Sequence, residues 1–157
     1  MIIRRAEPKD IDGLDRLLYQ VAGVHQKGRP DLFKTEAKKY TDEELLAILD
    51  DDMRPVFVGV DENDYVMGYA FCLLVDHTKD HAMTDILSLY IDDLCVDETL
   101  RGQHIGRQIY EYVLGFAREK GCYNVTLNVW ECNPSARAFY DACGMKPFRT
   151  GMETVLS

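Results

Sequence analysis

Between Leu89 and Ala117 the apolar residues change from strand alternation to a helical repeat across one short loop. Leu89 to Val96 read as a strand, and Ile105, Ile109, Val113, Phe116 and Ala117 share one face of the helix that follows. A strand passing so directly into a helix commits the chain to a layered arrangement of helices on a sheet. The junction holds Arg101, Gly102 and Gly106. The first four N–H groups of the helix have no intrahelical partner, and its dipole favours negative charge there. Arg101 and Arg107 add full positive charges, so the loop is expected to hold an anion, a pyrophosphate in particular. The alternative is an Arg/Gly turn feeding an ordinary helix. The spacing is neither G-x-x-x-x-G-K-[ST] nor G-x-G-x-x-G.

The rest of the chain shows no repeat, low-complexity tract or linker. Ile2–Ala6 reads as a strand, and Pro8 opens a helix with Ile11, Leu14, Leu17, Leu18 and Val21 at helical spacing. Thr41 and Glu44 form a capping box before Leu45, Ile48 and Leu49. Pro55–Val60 and Tyr65–Val75 read as a hairpin about Asp61–Asp64, and Met83–Val96 as a third long strand. Val125–Trp130 is expected as a strand, Asn133–Cys143 as a helix and Met145–Leu156 as a final strand pair. The order β-α-α-β-β-β-α-β-α-β-β indicates a mixed sheet with helices on both faces. At 157 residues the chain is expected to form a single domain over 1–157.

Within the third long strand the apolar phase slips. Leu87, Leu89 and Ile91 occupy odd positions, but after Asp92 and Asp93 the apolar residues are Leu94 and Val96. Side chains alternate faces with period two, so one residue has been inserted, the trace of a β-bulge that frees backbone N–H groups. The alternative is a strand that ends at solvent on the two aspartates. Further on, W-E-C-N-P-S-A-R-A-F-Y-D-A-C-G opens a helix on Asn133 as N-cap and Pro134 as first helical residue. Ala136, Phe139, Tyr140 and Cys143 share a face, so Tyr140 is carried inward; taken alone, such a residue is more often a core tyrosine than a catalytic one.

Charge is distributed unevenly. Residues 61–100 hold one Lys/Arg against ten Asp/Glu, and residues 101–157 hold seven against five, within a net charge of −9. That balance argues against a nucleic-acid partner. It suits an anionic cofactor near the basic C-terminal third and a cationic or amine-bearing partner near the acidic middle, or else a merely solvated acidic face. The N-terminal residues M-I-I-R-R-A-E-P-K-D have no apolar h-region, and no apolar run approaches membrane-spanning length, so no membrane association is expected. Cys72, Cys95, Cys122, Cys132 and Cys143 are widely spaced without C-x-x-C, which suits reduced thiols in a cytoplasm. His77 and His81 lack a third ligand of clear spacing, so no metal is expected.

The loop R-x-x-H-x-G (Arg101 to Gly106) resembles the [QR]-x-x-G-x-[GA] loop of GNAT-family N-acetyltransferases, with His104 where that family usually has its first Gly. The segment from Asn133 resembles the family's N-x-x-A-x-x-F-Y-x-x-x-G, and the strand opening Y-I-D-D-L-C-V is similar to that of the diamine acetyltransferases. The resemblance covers essentially the whole chain. It implies an α/β (α+β) fold with a mixed, mostly antiparallel, twisted sheet of about six to seven strands. A bulge in the fourth strand would split that sheet into a V, with helices on both faces.

The resemblance further implies acetyl-CoA as co-substrate, lying between the bulged strand and the Val125–Trp130 strand. Leu94, Cys95 and Val96 would hold its pantetheine arm, and the Leu94 N–H would polarise the thioester carbonyl. Arg101, Gly102, Gln103, His104, Ile105, Gly106 and Arg107 would cradle the pyrophosphate; Asn133 and Ala136 would meet the arm. Tyr140 would protonate the departing thiolate. An alkylammonium with pKa near 10.4 is only about one part in 10³ neutral at pH 7, so a base is needed. Asp92 is the first candidate, directly or through water, and Asp93 and Glu131 follow. His25, Arg29, Asp31, Phe33 and Tyr40 would line the acceptor site.

The expected activity is acetyl transfer to a primary amine of a small molecule, such as a polyamine or amino acid, in a cytoplasmic homodimer. Protein or peptide N-terminal or lysine acetylation is the alternative within the class. A non-catalytic acyl-CoA-binding or sensor domain is the alternative outside it. A flavodoxin-like nucleotide binder is disfavoured because a hairpin precedes the phosphate loop.

Overall fold

The computed structural model describes residues 1–156. Its elements are β1 (Ile2–Arg5), α1 (Ile11–Gly28), α2 (Asp42–Leu49), β2 (Val56–Val60), β3 (Val66–Asp76), β4 (Leu87–Val96), α3 (Ile105–Glu119), β5 (Asn124–Leu127) and α4 (Pro134–Ala142). Short 3-10 turns precede α1 and α3, at Pro8–Asp10 and Glu98–Leu100. The Thr41 hydroxyl accepts from the Glu44 N–H at 3.1 Å while Glu44 accepts from Thr41 N–H at 3.2 Å, so the capping box forms as its residue types require.

The sheet runs β1-β2-β3-β4-β5. The first four strands pair antiparallel, and β5 pairs parallel to β4. Among the described residues five strands form rather than six to seven. The segment 145–156, expected as a strand pair, takes no regular structure, and Phe148, Met152, Val155 and Leu156 are exposed. Pro147 lacks a donor and Gly151 adds backbone freedom there, both unfavourable to a ladder. The third long strand begins at Leu87 rather than Met83, because Asp76 and Asp80 accept from the N–H groups of Thr78, Ala82 and Met83 and fold that stretch into turns.

Two apolar layers cover the sheet. On one face Leu14, Leu17 and Leu18 of α1 and Leu45 and Ile48 of α2 pack on Val56, Val58, Val60, Tyr69 and Phe71. On the other, Ile105, Ile109 and Val113 of α3 pack on Phe57, Ala70, Leu89 and Ile91. Helices therefore lie on both faces, as the element order requires. Leu17 is fully buried. Leu17→Ala is expected to destabilise the fold by about 2–5 kcal/mol, read as a lower denaturation midpoint at unchanged slope.

Candidate active site

Phe71 pairs with Asp93 and Cys72 with Ile91, so Asp92 is the inserted residue of a bulge in β4. The phase slip in the sequence has this cause. Leu89 and Ile91 face α3, whereas beyond the bulge Cys95 joins the core under α1. β4 and β5 pair only from Ser88↔Asn124 to Ile91↔Leu127. Pairing stops where the bulge begins, and the two strands open into a cleft there.

The two bulge carboxylates have different surroundings. Asp92 accepts from the Lys39 ammonium at 2.7 Å and the Tyr40 hydroxyl at 2.9 Å. Asp93 accepts from the Tyr69 hydroxyl at 2.6 Å. Desolvation pushes the Asp93 carboxyl up to about 6, over the opposing effects of that hydrogen bond and of Lys39. Tyr140 lies on α4 at the same cleft, and burial, then the charge of Asp93, raises its phenol well above the ordinary tyrosine value. It holds its proton throughout the neutral range.

Just past the end of β4 lies Asp97, which is buried. Asp97 pairs with Arg16 and accepts from the Tyr65 hydroxyl at 2.6 Å, the Thr99 N–H at 3.0 Å and the Thr99 hydroxyl at 2.9 Å. These bonds hold its carboxyl well below the usual range against the desolvation that opposes them. The stability it contributes is complete above the unfolded aspartate pKa of about 3.9 and is lost as pH falls below it. Asp97→Ala removes the acceptor shared by Arg16, Tyr65 and Thr99, which keep access to solvent, and is expected to cost about 1–3 kcal/mol, measured by chemical denaturation at pH 7.

The anchored loop then turns into α3 through two left-handed residues, Gly102 at φ 85° and His104 at φ 61°. The conformation that favours glycine is thus adopted by His104, one of the side chains that tolerates it better than most. Among the described residues, the N–H groups of Gly102 through Arg107 bond to nothing within the chain, and Gln108 is the first to bond back, to His104 O at 3.1 Å. The side chains of Arg101, Gln103, His104 and Arg107 are exposed. Exposed donors without partners, at a helix start, form an anion cradle. Ile105 is buried in the core and can offer only its backbone.

A cleft of about 1770 Å³ is lined by Asp92, Asp93, Tyr140, Trp130, Phe33 and His25, among others. Single small-ligand pockets run to roughly 300–1,000 Å³, so this one has room for two substrates. The cradle adjoins it across α4, where Arg107 donates to Ala142 O at 3.3 Å. Not every expected residue reaches the cleft. The Cys95 thiol is buried under α1, and its desolvation pushes it up to about 12, leaving only its backbone for any ligand. Asn133 accepts from Ala136 N–H at 3.2 Å, so its oxygen and the Ala136 N–H serve the helix cap. Tyr40 stacks on Phe71 at 5.6 Å behind Asp92, and Asp31 pairs with Arg29. Glu131 lines the cleft and is exposed.

Of the ten acids in residues 61–100, only Asp92 and Asp93 line the cleft. Asp61, Asp76 and Asp80 shape turns, Asp64 pairs with Lys9 and Asp97 with Arg16. The segment's charge therefore does not map onto the site. Lys39 and Trp130 line the cleft without having been singled out in the sequence. Trp130 carried one signal, as the sole tryptophan immediately before the Asn133 helix.

A sheet opened by a bulge, with a carboxyl and a protonated tyrosine in the opening and an anion cradle beside it, is the architecture of a group-transfer domain. The chain belongs to the GNAT acetyltransferase family, whose profile matches residues 21–145. A point mutant of the BH1408 protein from Bacillus halodurans is 34% identical over the full length of both chains, with a TM-score of 0.94. Glucosamine 6-phosphate N-acetyltransferase of Arabidopsis thaliana is 34% identical over 56 residues, 36% of each protein. The match thus spans about a third of that curated relative's length. An aminoglycoside acetyltransferase from an uncultured soil metagenomic sample, solved with sisomicin, shares the fold at a TM-score of 0.72 and 20% identity, covering 99% of this chain and 96% of the other. The likeness of the Tyr90–Val96 strand to diamine acetyltransferases rests on those few residues alone.

Proposed function

We propose that the protein transfers an acetyl group from acetyl-CoA to the primary amine of a small molecule. The observation that carries this reading is the pairing of a proton-holding Tyr140 with a neutral-range Asp93 in one cleft beside the cradle. Two of the relatives named above support a small-molecule acceptor, one a glucosamine 6-phosphate N-acetyltransferase and the other an aminoglycoside acetyltransferase solved with sisomicin.

Acetyl-CoA, when bound, supplies an activated thioester. The donors of Gly102 to Arg107 hold its diphosphate, and the opening between β4 and β5 takes the arm. Asp93 accepts the proton of the acceptor ammonium, directly or through one water. The free amine then forms the N–C bond as the C–S bond breaks. Tyr140 delivers its proton to the departing thiolate, the second proton of the acylated nitrogen returns to Tyr140 through water to leave a neutral amide, and the Leu94 N–H is assigned to the carbonyl oxygen. Asp93 replaces Asp92 as the leading base, because Asp92 is matched by Lys39.

Two measurements test the reading. Acetyl-CoA at 100 Kd should stabilise the fold by roughly 2.7 kcal/mol, seen as a rise in Tm. A screen for CoA release against amino sugars, arylalkylamines, polyamines and amino acids should find turnover. No shift at millimolar acetyl-CoA, or no release with any amine, overturns it.

A further inference from the structure

Three rings from separate elements meet at one end of the cleft: His25 from α1, Phe33 from the loop after it and Trp130 from the segment after β5. His25 and Phe33 are 5.1 Å apart, Phe33 meets Trp130 edge-on at 5.2 Å, and His25 lies 6.3 Å from Trp130. The convergence requires a glycine at position 28, where a Cβ would stand 2.6 Å from Cys132 Sγ. The end of α1 is thereby drawn against the segment that carries Trp130. That tryptophan is nevertheless 43% exposed. A large ring supported by two others and still open to solvent presents a surface for stacking.

Little negative charge is free at this end to pair with a second ammonium. Burial and then the Lys39 charge lower the His25 pKa, so its imidazole stays neutral at pH 7. The carboxylates lining the cleft are largely committed: Asp92 to Lys39, Asp141 to Arg137 and Glu153 to Arg29. Asp93 is assigned to the reacting amine. Among the described residues only Glu131 is left to receive a second ammonium, and it is exposed.

We propose that the ring cluster of His25, Phe33 and Trp130 selects the acceptor, and that it takes an amine borne on a ring with an apolar face rather than a linear polyamine. The inference rests on the acetyltransferase reading above. Arylalkylamines and amino sugars share this chemistry, since both present C–H or π faces to an indole. A polyamine would leave its distal ammonium with only a Trp130 face and the exposed Glu131 to attract it and the Lys39 ammonium to repel it, whereas a ring amine covers the same faces with apolar surface.

The single tryptophan provides a readout independent of turnover. Phenethylamine, glucosamine, putrescine and spermidine are titrated against the wild-type protein with CoA present, and Trp130 fluorescence and CoA release are both followed. The expected result is a saturable fluorescence change with at least one ring amine, and kcat/KM at least about tenfold above either polyamine. The relative response to phenethylamine and glucosamine identifies which ring is used. Trp130→Ala should raise the ring acceptor's KM about tenfold with little change in kcat, and Trp130→Phe should restore most of it. A polyamine as best acceptor, no fluorescence response to either ring amine, or an equal loss for all acceptors in Trp130→Ala overturns the proposal. A saturable response without CoA release from any amine instead overturns the acetyltransferase reading and leaves the ring site standing.

Discussion

Tyr140→Phe is expected to lower kcat by about 100-fold while leaving the acetyl-CoA-induced rise in Tm as in the wild type. The variant keeps the ring and the helix face it shares with Phe139, and removes only the proton. Burial and the nearby Asp93 raise the Tyr140 phenol well above its ordinary value, so the wild-type hydroxyl is always loaded. An alkyl thiolate is a basic anion at neutral pH, so protonation assists its departure, and the variant must send it into the cleft unprotonated or wait for water. The loss should shrink with an acyl donor whose thiol is more acidic, which a packing defect would not reproduce. Unchanged kcat with weakened cofactor binding would make Tyr140 a packing residue.

Asp93→Asn should cost about 100-fold or more in acceptor kcat/KM near neutrality, and the loss should narrow as pH rises. The sign follows from the direction of the shift. Desolvation pushes Asp93 up to about 6, and a base works only when ionised, so wild-type activity climbs as pH rises through that value. In the variant this inflection disappears, and only the slope from the amine's own deprotonation remains. Because the folded pKa lies above the unfolded value of about 3.9, the ionised carboxylate costs stability as pH rises from about 4 to 6. The variant should therefore be no less stable at pH 7, and its Asn can still accept from Tyr69. Asp92→Asn, which breaks the pair with Lys39, should have the smaller kinetic effect. The reverse ranking would return the base to Asp92.

The charge of residues 61–100 shows how a segment average misleads. A run of acids along the chain need not be an acidic surface, because hairpins send successive side chains to different places. Asp61 accepts from the N–H groups of Asn63 and Tyr65 to shape a turn, Asp64 pairs with Arg4 and Lys9, and Asp97 is buried against Arg16. What remains at the cleft is two carboxylates, one already matched. The total charge of the segment therefore does not describe the cleft.

The sequence by itself determined the features that depend on neighbours along the chain. Strand and helix periods, the Thr41 and Asn133 caps, the bulge at Asp92 and the anion cradle before α3 all follow from residue types a few positions apart. A phase slip or a left-handed residue leaves its trace in local spacing. Tertiary structure decided whatever depends on residues far apart in the chain. Lys39 reaches Asp92, Tyr69 reaches Asp93 and Trp130 meets Phe33 across separations that no periodicity encodes. The different surroundings of the two adjacent aspartates were of this kind, since their chemistry is identical until desolvation and a distant lysine set them apart. The tail after Met145 was too, for a strand needs a partner, and its partner is not written in its own residues.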